Sequence, residues 1–136
     1  MTAKEYLSQV NHARIKADLI RRQYKAFMSG VAASPIGGVR VSGGKLAGDK
    51  AEDHAMRGVE LHDRLNEAER EYFTLQDKIS DQIGALDNML YIQILVLHYV
   101  NGKKLADVAA SVGYSYQYVR SVHVKALKAF EEKYLQ

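Results

Sequence analysis

The 136-residue chain has no cysteine, no tryptophan and only one proline. Without cysteine there can be no disulfide, thiolate zinc site, iron–sulfur cluster or thiol nucleophile. A single proline leaves few enforced breaks, so the sequence leans towards uninterrupted helices rather than a turn-rich β-sandwich. Long apolar runs are also missing. The most apolar window, Met89 to Val100, is too short to span a bilayer and includes Gln93 and His98. The opening residues, Met1-Thr2-Ala3-Lys4-Glu5, carry no apolar signal core. A cytoplasmic protein with no membrane partner is therefore expected. What is present, 47% hydrophobic and 26% charged residues, suits one packed domain or a small domain with a helical extension.

The net charge of +3 is unevenly placed. Residues 1–87 are balanced, whereas residues 88–136 carry six basic and three acidic side chains, the whole excess. Within the first part, residues 1–29 are net +4 and residues 49–87 net −6, so these two stretches should attract each other. The acidic face of the second stretch is either solvated or a surface for a basic partner.

Thr2-Ala3-Lys4-Glu5 fits a helix-opening capping box. Tyr6, Val10, Ala13, Ala17, Ile20, Tyr24 and Phe27 then follow steps of four and three, which keeps one stripe facing a partner helix. Residues 29–48 hold six of the ten glycines and the proline, a composition expected of a flexible connector. From about Asp49 the helical spacing resumes through Gly58, Leu61, Leu65, Ala68, Tyr72, Leu75, Ile79, Gln82 and Leu86. The two helices are expected to form an antiparallel hairpin over residues 1–87. Pairing of the same stripes between two chains, giving a homodimer, is the alternative.

The glycine-rich stretch does not fit a phosphate-binding loop. Gly38 to Lys45 is one residue longer than the Gly-x4-Gly-Lys-[Ser/Thr] spacing, and Leu46 stands where the magnesium-binding hydroxyl belongs. His54 and His62 have no third ligand at a convincing spacing, so packed or solvated histidines are expected rather than a metal site. No serine, histidine and acid arrangement can be defended. Neither an enzyme nor a cofactor is expected.

The last 49 residues carry the most specific pattern. Asp87-Asn88 offers an N-cap, Met89, Ile92, Leu95 and Tyr99 form an apolar face, and Asn101-Gly102 is a helix stop. Leu105, Val108, Ala109 and Val112 mark a second short helix closed by Gly113. Ser115 can cap a third, with Val119, Val122, Ala126, Leu127 and Phe130 buried. Ala109, Gly113, Val119 and Val122 have helix-turn-helix spacing: alanine permits close crossing, glycine takes the left-handed turn, and the valines seat one helix on the other. The competing reading of Val112 to Val124 as a β-strand lacks a partner strand. The expected fold is all-α, a long coiled-coil-like hairpin (1–87) followed by a small tri-helical helix-turn-helix domain (88–136).

Ile94-Leu95-Val96-Leu97-His98-Tyr99-Val100-Asn101-Gly102, Leu105-Ala106-Asp107-Val108-Ala109, Val112-Gly113-Tyr114-Ser115, Val119-Arg120 and Lys125-Ala126-Leu127 resemble region 4 of sigma-70-type factors over about residues 88–134. The resemblance implies recognition of double-stranded promoter DNA, as the family does at the −35 element, and contacts with RNA polymerase are expected through the helical hairpin. The whole layout also resembles small phage and prophage regulators of Gram-positive bacteria, including the ArpU/RinA-like late-gene regulators. Matched to the motif, Tyr116, Gln117, Arg120 and Ser121 occupy positions that contact bases or adjoining phosphates in the family.

Side-chain chemistry pairs Gln117 with adenine, Arg120 with guanine or phosphate, and Val124 with a thymine methyl. Lys103, Lys104, Lys125 and Lys128 are expected to meet the DNA backbone. The chain departs from the family where Lys104 replaces the usual Ser or Thr cap, and where Tyr116, Gln117 and Tyr118 replace charged residues. Nothing before residue 88 resembles the region that melts promoters. A DNA-packaging or assembly protein of the small-terminase kind, using the coiled coil to oligomerise, is the alternative function.

Overall fold

Residues 1–33 and 44–136 are described by a computed structural model. The order is α1 (Ala3–Ala33), α2 (Gly44–Gly84), α3 (Met89–Leu95), a π-helical turn (Val96–Val100) that continues α3, α4 (Leu105–Val112) and α5 (Tyr116–Tyr134). Among the described residues all regular structure is helical, so the alternating residues after Val112 form a helix rather than a strand. None of these helices is long and apolar enough to cross a membrane.

Thr2 opens α1 with half of the expected capping box, its hydroxyl accepting from the Glu5 N–H at 3.2 Å. The connector expected at 29–48 is shorter than its composition suggests. Residues 29–33 continue α1 and residues 44–48 belong to α2, while 34–43 lie outside the described residues. A glycine costs a helix about 1 kcal/mol, which propagation from an established helix tolerates far better than nucleation does.

Packing divides the chain into two units, Ile15–Glu71 and Met1–Arg14 with Tyr72–Gln136. In the first, Ala17, Leu61 and Ala68 are buried, Tyr24 packs against His62 and Phe27 stacks on His54 at 4.1 Å. Gly58 gives the Phe27 ring its room, since a Cβ there would come within 3.0 Å of it. Arg21 pairs with Glu69 at 3.1 Å and Lys16 with Glu71 at 3.5 Å. The basic-to-acidic attraction expected from the charge distribution thus appears as ion pairs, each of small energetic weight at a half-exposed surface.

The second unit runs across residue 87 and draws on both ends of the chain. One hydrophobic cluster joins Leu7 and Val10 of α1, Ile79 and Ile83 of α2, Leu86, Leu95, Tyr99 and Val100, and Ala126 and Phe130 of α5. Three short helices in 49 residues bury too small a fraction of their surface to enclose a side chain such as Phe130 alone. The ends of the two long helices complete the core. Tyr6 donates to Gln82 Oε1 at 2.7 Å, and the Tyr134 hydroxyl donates to the Gln82 carbonyl at 2.8 Å.

The α3 segment begins as expected, with Asn88 Oδ1 accepting from the N–H groups of Leu90 and Tyr91. Its expected apolar face is only partly correct: Met89 is 68% exposed, whereas Ile94 is fully buried. The reason is that the segment touches two clusters, Leu95 and Tyr99 entering the one above and Ile94 a second. In the π turn the Asn101 N–H donates to Val96 O, five residues back, at 2.9 Å. That wider turn puts the adjacent residues Tyr99 and Val100 both into the core. Gly102, at φ +73°, stops the helix. The Arg14 guanidinium packs against it and donates to the Val100 carbonyl at 3.3 Å.

Candidate nucleic-acid interface

Lys104 occupies the N-cap position of α4 and makes no side-chain cap bond, as expected where the Ser or Thr is missing. Its ammonium is left to solvent. At the other end Gly113 adopts φ +80°, ψ +25°, a conformation that costs a residue with a Cβ about 1–2 kcal/mol. The N–H groups of Gly113 and Tyr114 both donate to Ala109 O, at 3.0 and 3.2 Å. Ser115 then caps α5, its Oγ accepting from the Tyr118 N–H at 3.2 Å. Between these ends Ile94, Val108, Ala109, Val119 and Val122 form a buried cluster. The residues with the diagnostic spacing therefore lock α4 against α5.

This packing fixes what α5 shows to solvent. With Val119 taken as inward and about 100° per residue, Gln117, Ser121, Val124 and Lys128 lie within about 40° of the outward direction. Arg120 stands on one flank, about 100° from inward, and Tyr118 and Lys125 on the other. Tyr116, in the first turn, lies nearer the buried side but remains exposed. Lys103 and Lys104 belong to the exposed segment before α4. All nine candidate residues are exposed. The stripe from Gln117 to Lys128 is one continuous surface, and the two lysines before α4 stand on a different element.

The candidate set omits Tyr114 and Tyr118, both exposed, whose rings approach at 5.0 Å beside the start of α5. Their signal in the sequence is the run of alternating tyrosines. The basic surface has a definite end: beyond Lys128 the chain continues with Glu131 and Glu132. Every ion pair among the described residues lies between Lys16 and Glu71. The exposed cations at residues 103–128 thus have no carboxylate within 4 Å among the described residues.

Beneath α5 lies a polar group made of the buried Tyr99 and His123 and the half-buried His98. The Tyr99 hydroxyl is 2.8 Å from His123 Nε2, and the His98 ring stands edge-on to both at 4.6 and 5.3 Å. Burial, followed by the nearby positive charges of His98 and Lys4, holds His123 down to about 4. At neutral pH the ring is uncharged. Burial also pushes the Tyr99 phenol up to about 12, so the phenol donates and Nε2 accepts. His98 Nδ1 donates to the Lys103 carbonyl at 2.7 Å. The sequence offered no periodic signal for this group because its members meet across 24 residues.

No group of three His, Asp or Glu side chains is placed to hold a metal ion among the described residues. His54 and His62 instead pack on Phe27 and Tyr24. No family model, curated protein or solved structure matches this chain.

Proposed function

We propose that α4 and α5 form a helix-turn-helix that binds double-stranded DNA, with α5 in the major groove and α1–α2 as an intramolecular antiparallel hairpin. The observation that carries this reading is the α4–Gly113–Ser115–α5 joint. Its inner residues pack as one cluster, and its outer stripe of glutamine, serine, valine and lysine is bordered by unpaired cations. A polyanion with readable base edges is the ligand that uses both features. Gln117, Ser121 and Val124 face base edges, Arg120 takes guanine or phosphate, Tyr116 meets the adjoining backbone, and Lys103, Lys104, Lys125 and Lys128 position the protein on phosphates. The resemblance to sigma region 4 points to promoter DNA, the resemblance of the whole layout to phage regulators points to transcription regulation of that type, and the helical hairpin is the surface offered to RNA polymerase.

The test is fluorescence anisotropy of the full chain with labelled mixed-sequence duplex DNA over a range of salt concentrations. Binding is expected to weaken linearly in a log–log plot, by roughly 0.9 units of slope per phosphate contacted. Absence of binding at 50 mM salt, with the protein fully helical, overturns the proposal.

A further inference from the structure

Val124 is an aliphatic side chain in a surface that has no structural need for one. It is 63% exposed, lies outside both hydrophobic clusters, and is β-branched in mid-helix, where a straight-chain polar residue is favoured. Its neighbours on the outward stripe are Ser121, three residues before, and Lys128, four after, with Lys125 and Arg120 on the flanks. On its C-terminal side Val124 also borders a shallow depression shared with Leu127, Lys128, Glu131 and Glu132, but one exposed valine beside charged groups of both signs is too small to anchor a protein interface, which relies on buried aromatic or larger apolar groups.

We infer that Val124 reads the 5-methyl group of a thymine, and that the preferred duplex therefore carries an A·T pair beneath the middle of α5. The inference rests on the DNA-binding reading above. In the major groove the thymine methyl is the apolar group that the base edges offer, and the flanking cations match phosphates on either side. The spacing is also suitable. Gln117 and Val124 are seven residues apart, roughly 10.5 Å along the helix, which is about three base-pair rises of 3.4 Å. An adenine edge at Gln117 and a thymine methyl at Val124 fit within one stretch of major groove, with Ser121 between them.

The experiment starts from 24-base-pair duplexes with a randomised centre, enriched on the full-length protein and re-synthesised with uracil in place of each thymine in turn. Uracil removes only the methyl group. At one or two positions the wild-type protein should bind about three- to fivefold more weakly, the scale of one buried methyl. The Val124→Ala protein should be insensitive at those positions, whereas Ser121→Ala should retain the sensitivity. Both substitutions are at exposed sites and favour helix, so a normal circular dichroism spectrum is expected. If enriched duplexes bind but no uracil position matters, or the loss is equal in Val124→Ala, the methyl inference is overturned and DNA binding stands. If no duplex is enriched and none binds at 50 mM salt, both fall together.

Discussion

The Tyr99 hydroxyl meets His123 Nε2 at 2.8 Å, tying the π-helical turn to the inner face of α5. His123 immediately precedes Val124, so the residue that fixes the inner side of the helix adjoins one on its outer stripe. Rotation of α5 would break this hydrogen bond, whose partners are shielded from water and have no alternative. The outward stripe is held by polar geometry as well as by packing.

That bond gives a pH dependence with a definite sign. The folded His123 value of about 4 lies below the ordinary 6.5, so the unfolded chain binds the extra proton between these values. The contribution is fully present above about pH 6.5 and is lost as pH falls through 4, at about 1.4 kcal/mol per unit of difference. His123→Gln keeps an acceptor for the phenol but does not titrate. Melting temperatures from pH 7 to 4 should fall less steeply in this variant; parallel curves would show that the ring is not buried as a neutral group.

The shared core makes a second prediction. Phe130 is fully buried, with Tyr6 and Tyr134 rings at 5.7 and 4.8 Å. Phe130→Ala should destabilise the whole chain by about 3–5 kcal/mol in urea unfolding. A fragment of residues 88–136, lacking Leu7, Val10, Ile79 and Ile83, should show little helix by circular dichroism. A cooperative melt from that fragment would show that residues 88–136 fold without the ends of the long helices.

The two left-handed glycines should differ in how their substitutions combine with Arg14→Ala. At Gly113 a Cβ meets nothing within 4 Å, so Gly113→Ala should cost only the backbone strain, about 1–2 kcal/mol. At Gly102 a Cβ would displace the Arg14 guanidinium, which donates to Val100 O. Gly102→Ala and Arg14→Ala should therefore be less than additive in a double-mutant cycle, while Gly113→Ala and Arg14→Ala should add. Equal additivity in both cycles would mean that Arg14 does not support the turn.

Arg120→Ala should weaken DNA binding without loss of fold, because the side chain is exposed. A base contact would appear as a loss of roughly 1–3 kcal/mol on the preferred duplex with relaxed preference at one position. A phosphate contact would weaken all duplexes alike and reduce the salt slope by about one. Lys128→Ala, near the acidic end of the stripe, provides the backbone comparison. Unchanged affinity for every duplex would remove Arg120 from the interface.

Local sequence was sufficient wherever one element decides its own conformation. Asn88 and Ser115 are recognisable caps because each bonds N–H groups two or three residues ahead. Gly102 and Gly113 mark helix ends because their backbone conformation disfavours a Cβ. The inward positions Val108, Ala109, Val119 and Val122 follow from helical period, and the exposed stripe at Gln117, Ser121 and Val124 follows by complement. The π turn, the burial of Ile94, the exposure of Met89 and the Tyr99–His123 bond were not legible. Each depends on which surfaces surround α3, and α3 alone contains no record of being enclosed on two sides. The make-up of the shared core was hidden for the same reason. A change in charge and periodicity near residue 87 marks where the sequence changes character, but Leu7, Ile79 and Phe130 meet in one core because the C-terminal helices are too few to bury their own apolar surface. Only tertiary contact, which brings residues more than 100 positions apart into one water-free space, decided that.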